Sequence, residues 1–212
     1  MPESILILAL QGDFTTHAKA AQSYFPKAKI NFLKQPRDLT AANSVDLFII
    51  PGGESSAFSK LMDYNQLYPV VEEIVNRPQT IVLTTCAGTI LLAKDIKNPG
   101  LTRHIPILDI EVERNAYGRQ IDSFIAPLEL TEEVKSLGIE PDKLSIEEKE
   151  AFFVRAPQIL HCRSSVSILG YVNRKIVLVR QGNILAATFH PEHSQHSVVY
   201  SILQRLRERI IA

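Results

Sequence analysis

Ile81-Val82-Leu83-Thr84-Thr85-Cys86-Ala87-Gly88-Thr89-Ile90-Leu91-Leu92-Ala93-Lys94 decides how this chain is read: an apolar strand-like run passes through a cysteine straight into a helical pattern. Residues 80–85 read as a buried strand, and three more such runs precede it. Residues 5–10 form an apolar run ending at Gln11-Gly12-Asp13, a strand feeding a turn, and residues 15–25 then have helical spacing. A second strand is expected at 28–33, and a third at 46–50 that stops at Pro51-Gly52-Gly53. Strands alternating with helices imply a three-layer α/β fold, with a mainly parallel central sheet covered by helices on both faces. Ligands of such sheets bind beyond the carboxyl ends of the strands, where both Pro51-Gly52-Gly53 and Cys86 fall.

The second half changes character. Short β-like runs at residues 108–114, 120–126, 151–155, 165–172, 175–180 and 183–188 suggest antiparallel hairpins appended to the sheet. Residues 171–175 are expected to turn one pair and Gln181-Gly182-Asn183 another. Residues 194–211 have the periodicity of a closing helix, while 129–150 are acidic, weakly patterned and read as a solvated surface excursion. With 212 residues, 45% of them hydrophobic, the chain can bury one sizeable core, so a single domain over 1–212 is expected.

Lysine plus arginine and aspartate plus glutamate stand at 23 each, so no net field favours nucleic acid or an anionic membrane. A basic leader followed by an apolar run is missing, and no stretch approaches the roughly 20 apolar residues that span a bilayer. A soluble, cytoplasmic protein is the expectation. The two cysteines, Cys86 and Cys162, lie in unlike surroundings rather than in a paired framework, which fits a reduced compartment.

Three segments could carry chemistry. The layout around Cys86 is that of a nucleophile elbow: a sharp strand-to-helix turn exposes the side chain, and Ala87 and Gly88 permit close backbone approach. A helix N-terminus favours a thiolate, and the Ala87 N–H is placed to stabilise an oxyanion. Taken alone, a cysteine at a strand end is more often a small core residue. The second segment, Ala186-Ala187-Thr188-Phe189-His190-Pro191-Glu192, ends a strand-like run in a histidine with a carboxylate two residues later. In extended backbone residues i and i+2 point the same way, so Glu192 can hold one ring nitrogen of His190 while the other takes a cysteine proton. An isolated His-x-Glu triplet is weak evidence. His190, His193 and His196 also recur with metal-like spacing, but Pro191 opposes a helix through His190, and no metal is expected. The third segment, Pro51-Gly52-Gly53-Glu54-Ser55-Ser56, can present backbone N–H groups to an anion or oxyanion. It lacks the Gly-Lys-Ser/Thr ending of a phosphate loop, and a glycine pair alone is more often a tight turn.

In combination, Leu10-Gln11-Gly12, PGGESS, TTCAGT around Cys86 and FHPEH around His190 resemble the class I (triad) glutamine amidotransferases. Glu113-Arg114-Asn115-Ala116-Tyr117-Gly118-Arg119-Gln120-Ile121-Asp122-Ser123-Phe124 and Phe153-Val154-Arg155-Ala156-Pro157 look like the glutaminase branch that serves pyridoxal 5′-phosphate synthases. The resemblance runs in order over nearly the whole chain. It implies Cys86 as nucleophile, His190 as general base and acid, and Glu192 as the group that orients the imidazole. Gly53 and Ala87 would supply oxyanion N–H groups, and L-glutamine would be held by Gly53, Glu54, Ser55, Arg114, Val154 and Arg155. A guanidinium suits the substrate α-carboxylate through a bidentate contact. Three departures stand out: Thr84 replaces the first glycine of the usual Gly-x-Cys-x-Gly elbow, His193 replaces a common leucine, and 129–150 is longer than usual. Cys162, flanked by His161 and Arg163, matches no family site.

The resemblance further implies glutamine hydrolysis to glutamate and ammonia through a thioester, without metal or organic cofactor. It implies a partner, the lyase subunit that builds pyridoxal phosphate for vitamin B6 supply, which takes up the ammonia and completes the oxyanion hole near Gly53. Other readings are the glutaminase of another synthase such as that of histidine biosynthesis, a catalytically silent regulatory member, and a related intracellular peptidase. The ERNAYGRQIDSF and FVRAP stretches speak against the first, and an intact Cys86, His190 and Glu192 against the second.

Overall fold

The structure is a computed structural model that describes residues 2–41, 44–98, 103–114, 116 and 123–211. The first half runs β1 (Ser4–Leu8), α1 (Phe14–Tyr24), β2 (Lys29–Leu33), α2 (Arg37–Ala41), β3 (Leu47–Ile50), α3 (Ser55–Tyr64), α4 (Tyr68–Val75), β4 (Ile81–Thr85) and α5 (Ala87–Leu92). The second half adds β5 (Ala93–Lys97), β6 (Leu108–Glu113), β7 (Phe124–Pro127), β8 (Glu129–Leu130), β9 (Glu150–Phe153), β10 (Gln158–Cys162), β11 (Ser167–Val172), β12 (Lys175–Gln181), β13 (Ile184–Ala187) and α6 (Val198–Ile211).

Among the described residues, the main sheet has the order β2-β1-β3-β4-β13-β12-β10-β6-β5, with β11 against β12 and β8 against β11. Its centre is parallel: β1 pairs β2 and β3, β4 pairs β3, and β13 pairs β4 with Ala187 beside Thr85. From β12 to β6 the pairing is antiparallel, and β7 with β9 makes a separate ribbon.

The central strands are apolar on both faces, and alternation divides their side chains between two cores. Ile5, Ile7, Leu47, Ile49, Ile81 and Leu83 share a core with Ala21 of α1, Phe25 just after it, and Val199, Ile202 and Leu206 of α6. Leu6, Leu8, Phe48, Ile50 and Val82 face Phe58 and Met62 of α3 and Val71 and Ile74 of α4. This is the three-layer, mainly parallel sheet with appended antiparallel strands that the sequence implied. Asn173 and Arg174 both take positive φ between β11 and β12, which matches the right-handed twist of a two-residue hairpin. Gly182, at φ +59°, turns β12 into β13.

Several expectations are corrected. The helix read as running to Lys94 stops at Leu92, because Ala93 enters β5 beside Leu108 of β6. Strand β10 went unread in the sequence. The closing helix starts at Val198 rather than 194, with a 3-10 turn, Pro191–His193, before it. The strand expected at 120–126 lies partly outside the described residues, and its visible part is β7. The 129–150 segment is not merely solvated. Its 3-10 turns Glu132–Leu137, Pro141–Lys143 and Glu147–Lys149 seat Val134, Leu137 and Ile139 in the core shared with α6. The spacing of those three follows neither the helix nor the strand period, so no repeat announces their burial.

Candidate active site

Cys86 occupies the corner between β4 and α5 with φ +47° and ψ −107°, a conformation that costs a non-glycine residue about 1–3 kcal/mol. The corner is held from several sides. The Cys86 N–H donates to Ala187 O at 3.0 Å, and the N–H groups of Thr89 and Ile90 donate to Cys86 O at 3.1 and 3.3 Å. Gly88 allows α5 to sit on β3, since a Cβ there would lie 2.4 Å from Ile50 O. Thr84 fits in place of a glycine because the tight backbone lies at residues 86 and 88, not at 84. Its hydroxyl is buried and meets Thr89 Oγ1 at 2.9 Å, and Thr89 Oγ1 donates to Ala187 O at 2.7 Å.

Beyond β13 the chain carries His190 to the same edge, tied by the His190 N–H to Phe152 O at 2.8 Å. His190 Nδ1 lies 2.7 Å from Glu192 Oε1. The reason differs from the expected one. Pro191, Glu192 and His193 form a 3-10 turn rather than extended backbone, and that turn brings the carboxylate back beneath the ring. Proline suits its first position, where no N–H is needed.

Gly52 lies between Cys86 and the His190 ring. A Cβ at Gly52 would lie 2.7 Å from His190 Cε1 and 3.0 Å from Cys86 Cβ, so the two side chains approach each other across a position that tolerates no side chain. Gly12 has the same office one layer out, because its Cβ would meet Gly52 O at 2.1 Å. The sequence reading credited Gly53 and overlooked Gly52; the Pro-Gly-Gly run was the available signal.

Electrostatics favour a charged pair. Burial opposes a proton on His190, but the Cys86 sulfur and the Glu192 carboxylate beside it outweigh this and lift its pKa to about 10. Burial likewise opposes charge on Glu192, yet His17 and His190 hold its carboxyl well below the usual range. Among the described residues His190 Nε2 has no hydrogen-bond partner, which leaves that nitrogen available for proton transfer.

A cleft of about 210 Å³ opens here, lined by Gly53, Glu54, Ser55, Cys86, Ile90, Val154, Arg155 and His190. It gathers most of the residues singled out from the sequence. Arg155 sits at φ +46° just after β9, and Val154 O faces Cys86 Sγ at 3.9 Å. The carboxylate of Glu54 is occupied in capping α3, accepting from Ser56 N at 2.9 Å and Ala57 N at 2.7 Å. Its carbonyl accepts from Gln11 Nε2 at 2.6 Å. Arg114 and Ala87 line an adjoining hollow with Ser55, Phe58 and Arg103, and Arg114 Nη2 reaches Ser56 Oγ at 3.2 Å. Of the ERNAYGRQIDSF stretch, Asn115 and residues 117–122 lie outside the described residues.

Of the three histidines with metal-like spacing, two come together in space. His190, Glu192 and His193 bring ligand atoms within 4.8 Å of one another, whereas His196 is not among them. Cys162 ends β10, half-buried, with its thiol pushed up to about 11 by burial. His17, fully buried behind Glu192, was not singled out from the sequence. Among the described residues no helix is long and apolar enough to cross a membrane.

Known proteins agree with this architecture. Over 187 residues the chain is 41% identical to pyridoxal 5′-phosphate synthase subunit PdxT of Carboxydothermus hydrogenoformans, covering 88% of each chain. It is 39% identical over 186 residues to the protein of that name from Thermotoga maritima, covering 88% of this chain and 89% of that one. A crystal structure described as a glutamine amidotransferase superimposes with a TM-score of 0.76 at 32% identity, covering 95% of this chain and 98% of the other. Residues 7–205 match the model of the SNO glutamine amidotransferase family, and the chain belongs to that family.

Proposed function

We propose that this chain is a glutaminase in which Cys86 is the nucleophile, His190 the general base and acid, and Glu192 the carboxylate that orients the ring. The observation that carries the reading is a single cleft bordered by Cys86 and His190, with His190 Nδ1 on Glu192 Oε1 at 2.7 Å. The Cys86 thiol gives its proton to His190, its sulfur attacks the side-chain amide carbon of L-glutamine, and the carbonyl electron pair moves onto oxygen. As the tetrahedral species collapses, the C–N bond breaks and His190 gives its proton to the departing nitrogen, which releases ammonia and leaves a thioester. Water, losing a proton to His190, adds to the thioester; the C–S bond breaks, and glutamate and the cysteine are restored. The N–H groups of Gly53 and Ala87 are the proposed oxyanion donors. Gly53, Glu54, Ser55, Val154 and Arg155 are the proposed substrate contacts from the cleft wall, with Arg114 reaching in from the adjoining hollow.

The relatives' name, a subunit of pyridoxal 5′-phosphate synthase, supports a destination for the ammonia. In our reading one glutamine amidotransferase domain works in the cytoplasm, in a hetero-oligomer with the lyase subunit that makes pyridoxal phosphate. Free ammonia would protonate in water, which favours direct transfer. The test is glutamate release by wild type and Cys86→Ala, each with and without that subunit. Activity that disappears with Cys86, and rises when the subunit is added, fits the proposal. Appreciable release by Cys86→Ala would refute the triad, and equal activity with and without the subunit would refute the coupling.

A further inference from the structure

Beneath the triad runs a buried polar chain that the chemistry above leaves unused. His17 of α1 is fully buried. Its Nε2 lies 3.2 Å from Glu192 Oε1 and 3.2 Å from Thr85 Oγ1, and its Nδ1 lies 3.1 Å from the hydroxyl of Tyr200 on α6. Tyr200 is fully buried and stacks on Tyr24, with ring centroids 5.0 Å apart. Neither His17 nor Tyr200 lines the Cys86 cleft.

The hydrogen bonds assign the tautomer of His17. Burial pushes the Tyr200 phenol well above its ordinary pKa, with the Glu192 carboxylate adding to the effect, so it remains a hydroxyl that can donate to Nδ1. A neutral imidazole that accepts at Nδ1 carries its proton on Nε2. That N–H then points between Glu192 Oε1 and Thr85 Oγ1, each 3.2 Å from Nε2. The opposite tautomer would turn a lone pair toward a carboxylate and leave a buried phenol without its acceptor, at about 1–3 kcal/mol for the unsatisfied group. Glu192 Oε1 thus faces the ring nitrogens of two histidines, His190 Nδ1 at 2.7 Å on the cleft side and His17 Nε2 at 3.2 Å beneath, while Oε2 has no hydrogen-bond partner among the described residues. One oxygen fixed from two sides cannot swing away from the His190 ring without breaking a buried bond.

We propose that His17, locked in one tautomer by Tyr200, is a positioning residue of the triad that fixes Glu192 Oε1 where His190 Nδ1 meets it. The proposal rests on the glutaminase reading. It makes α1 and α6, two helices outside the cleft, part of the catalytic support. The titratable groups facing Glu192 are His17 from α1, Tyr200 from α6, and His190 and His193 from its own turn. Loss of the His17 donor withdraws stabilisation from the carboxylate, so the acid limb of the rate profile moves to higher pH.

The test compares wild type with His17→Leu, His17→Gln and Tyr200→Phe. It reads kcat and KM for glutamine, the pH dependence of kcat/KM, thermal midpoints and the nitrogen chemical shifts of His190. For His17→Leu, kcat falls about 10–100-fold, as for outer partners that orient a working histidine, KM changes little, and the acid limb moves up. His17→Gln, whose amide can still donate to Glu192, recovers much of the loss, and Tyr200→Phe loses less than His17→Leu. A folded His17→Leu with wild-type kcat and acid limb overturns the proposal. If His17→Leu does not fold, an unchanged profile in Tyr200→Phe overturns it instead. The His190 shifts report coupling to His17 without turnover. A wild type that hydrolyses no glutamine therefore sinks the glutaminase reading and leaves this comparison to stand or fall separately.

Discussion

The two cysteines sit in two kinds of β structure and are correspondingly unlike. Cys86 closes β4, a strand inside the parallel part of the sheet, at a strained corner facing His190 and the cleft. Cys162 ends β10 in the antiparallel extension, with a thiol whose pKa burial raises further, to about 11. Parallel strands deliver all their carboxyl ends to one edge, so β3, β4 and β13 bring Gly52, Cys86 and His190 together, although they are distant along the chain. Antiparallel strands alternate direction and spread their ends over both edges. The separate antiparallel β7–β9 ribbon leads into Val154 and Arg155, which form a wall of the cleft rather than its proposed reacting groups.

The largest expected effect separates the cysteines themselves. Cys86→Ala loses all measurable glutamate release, whereas Cys162→Ala stays within about twofold, as expected of a site remote from the chemistry. A glutamine-like electrophile followed by peptide mapping should modify residue 86 alone; modification of 162 would erase the distinction.

Next comes Gly52→Ala. Its Cβ would fall 2.7 Å from His190 Cε1, so the ring must move, and a displacement near 1 Å costs about 100-fold in kcat. Gly182→Ala is the matched control in the antiparallel part. Nothing lies within 4 Å of its Cβ, and only the positive φ is strained, so stability drops about 1 kcal/mol and kcat is unchanged. Equal kinetics for the two variants would break the contrast.

The 129–150 segment sharpens the comparison on the side of stability. Leu137→Ala should cost about 2–4 kcal/mol in denaturant unfolding because Leu137 is buried beside α6, while Ile146→Ser, at 79% exposure, should shift it by less than about 0.5 kcal/mol.

Smallest is the pH dependence of stability contributed by the Glu192–His190 pair. The depressed carboxyl contributes fully above its ordinary value of 4.5, and that share is lost as the pH falls toward its folded value. The raised imidazole contributes fully below 6.5, and its share is lost as the pH rises toward about 10. Both describe one contact. The difference in thermal midpoint between wild type and Glu192→Gln should therefore be greatest between about pH 4.5 and 6.5 and shrink on both sides; a constant difference would contradict the pairing.

Much of this was legible in the sequence because it is local. Period-2 alternation and unbroken apolar runs announced β1, β3 and β4, and the cysteine between a strand and a helix announced the corner at residue 86. Less local features were hidden. β10 was unread because Gln158–Cys162 alternates only weakly, with His161 exposed, and becomes a strand through its neighbours β6 and β12. The burial of Val134, Leu137 and Ile139 followed no repeat.

What the chain's order of residues determined by itself is the alternation of strands and helices, the turn chemistry and the identity of the candidate triad, since propensity and periodicity act over a few neighbours. Only the tertiary structure decided that Glu192 reaches His190 from a 3-10 turn, that Gly52 is the gap between sulfur and imidazole, and that His17 and Tyr200 stand beneath the carboxylate. Those facts depend on contacts between residues as far apart as 17 and 200, and the energy of such a contact exists only once the sheet has closed the distance between them.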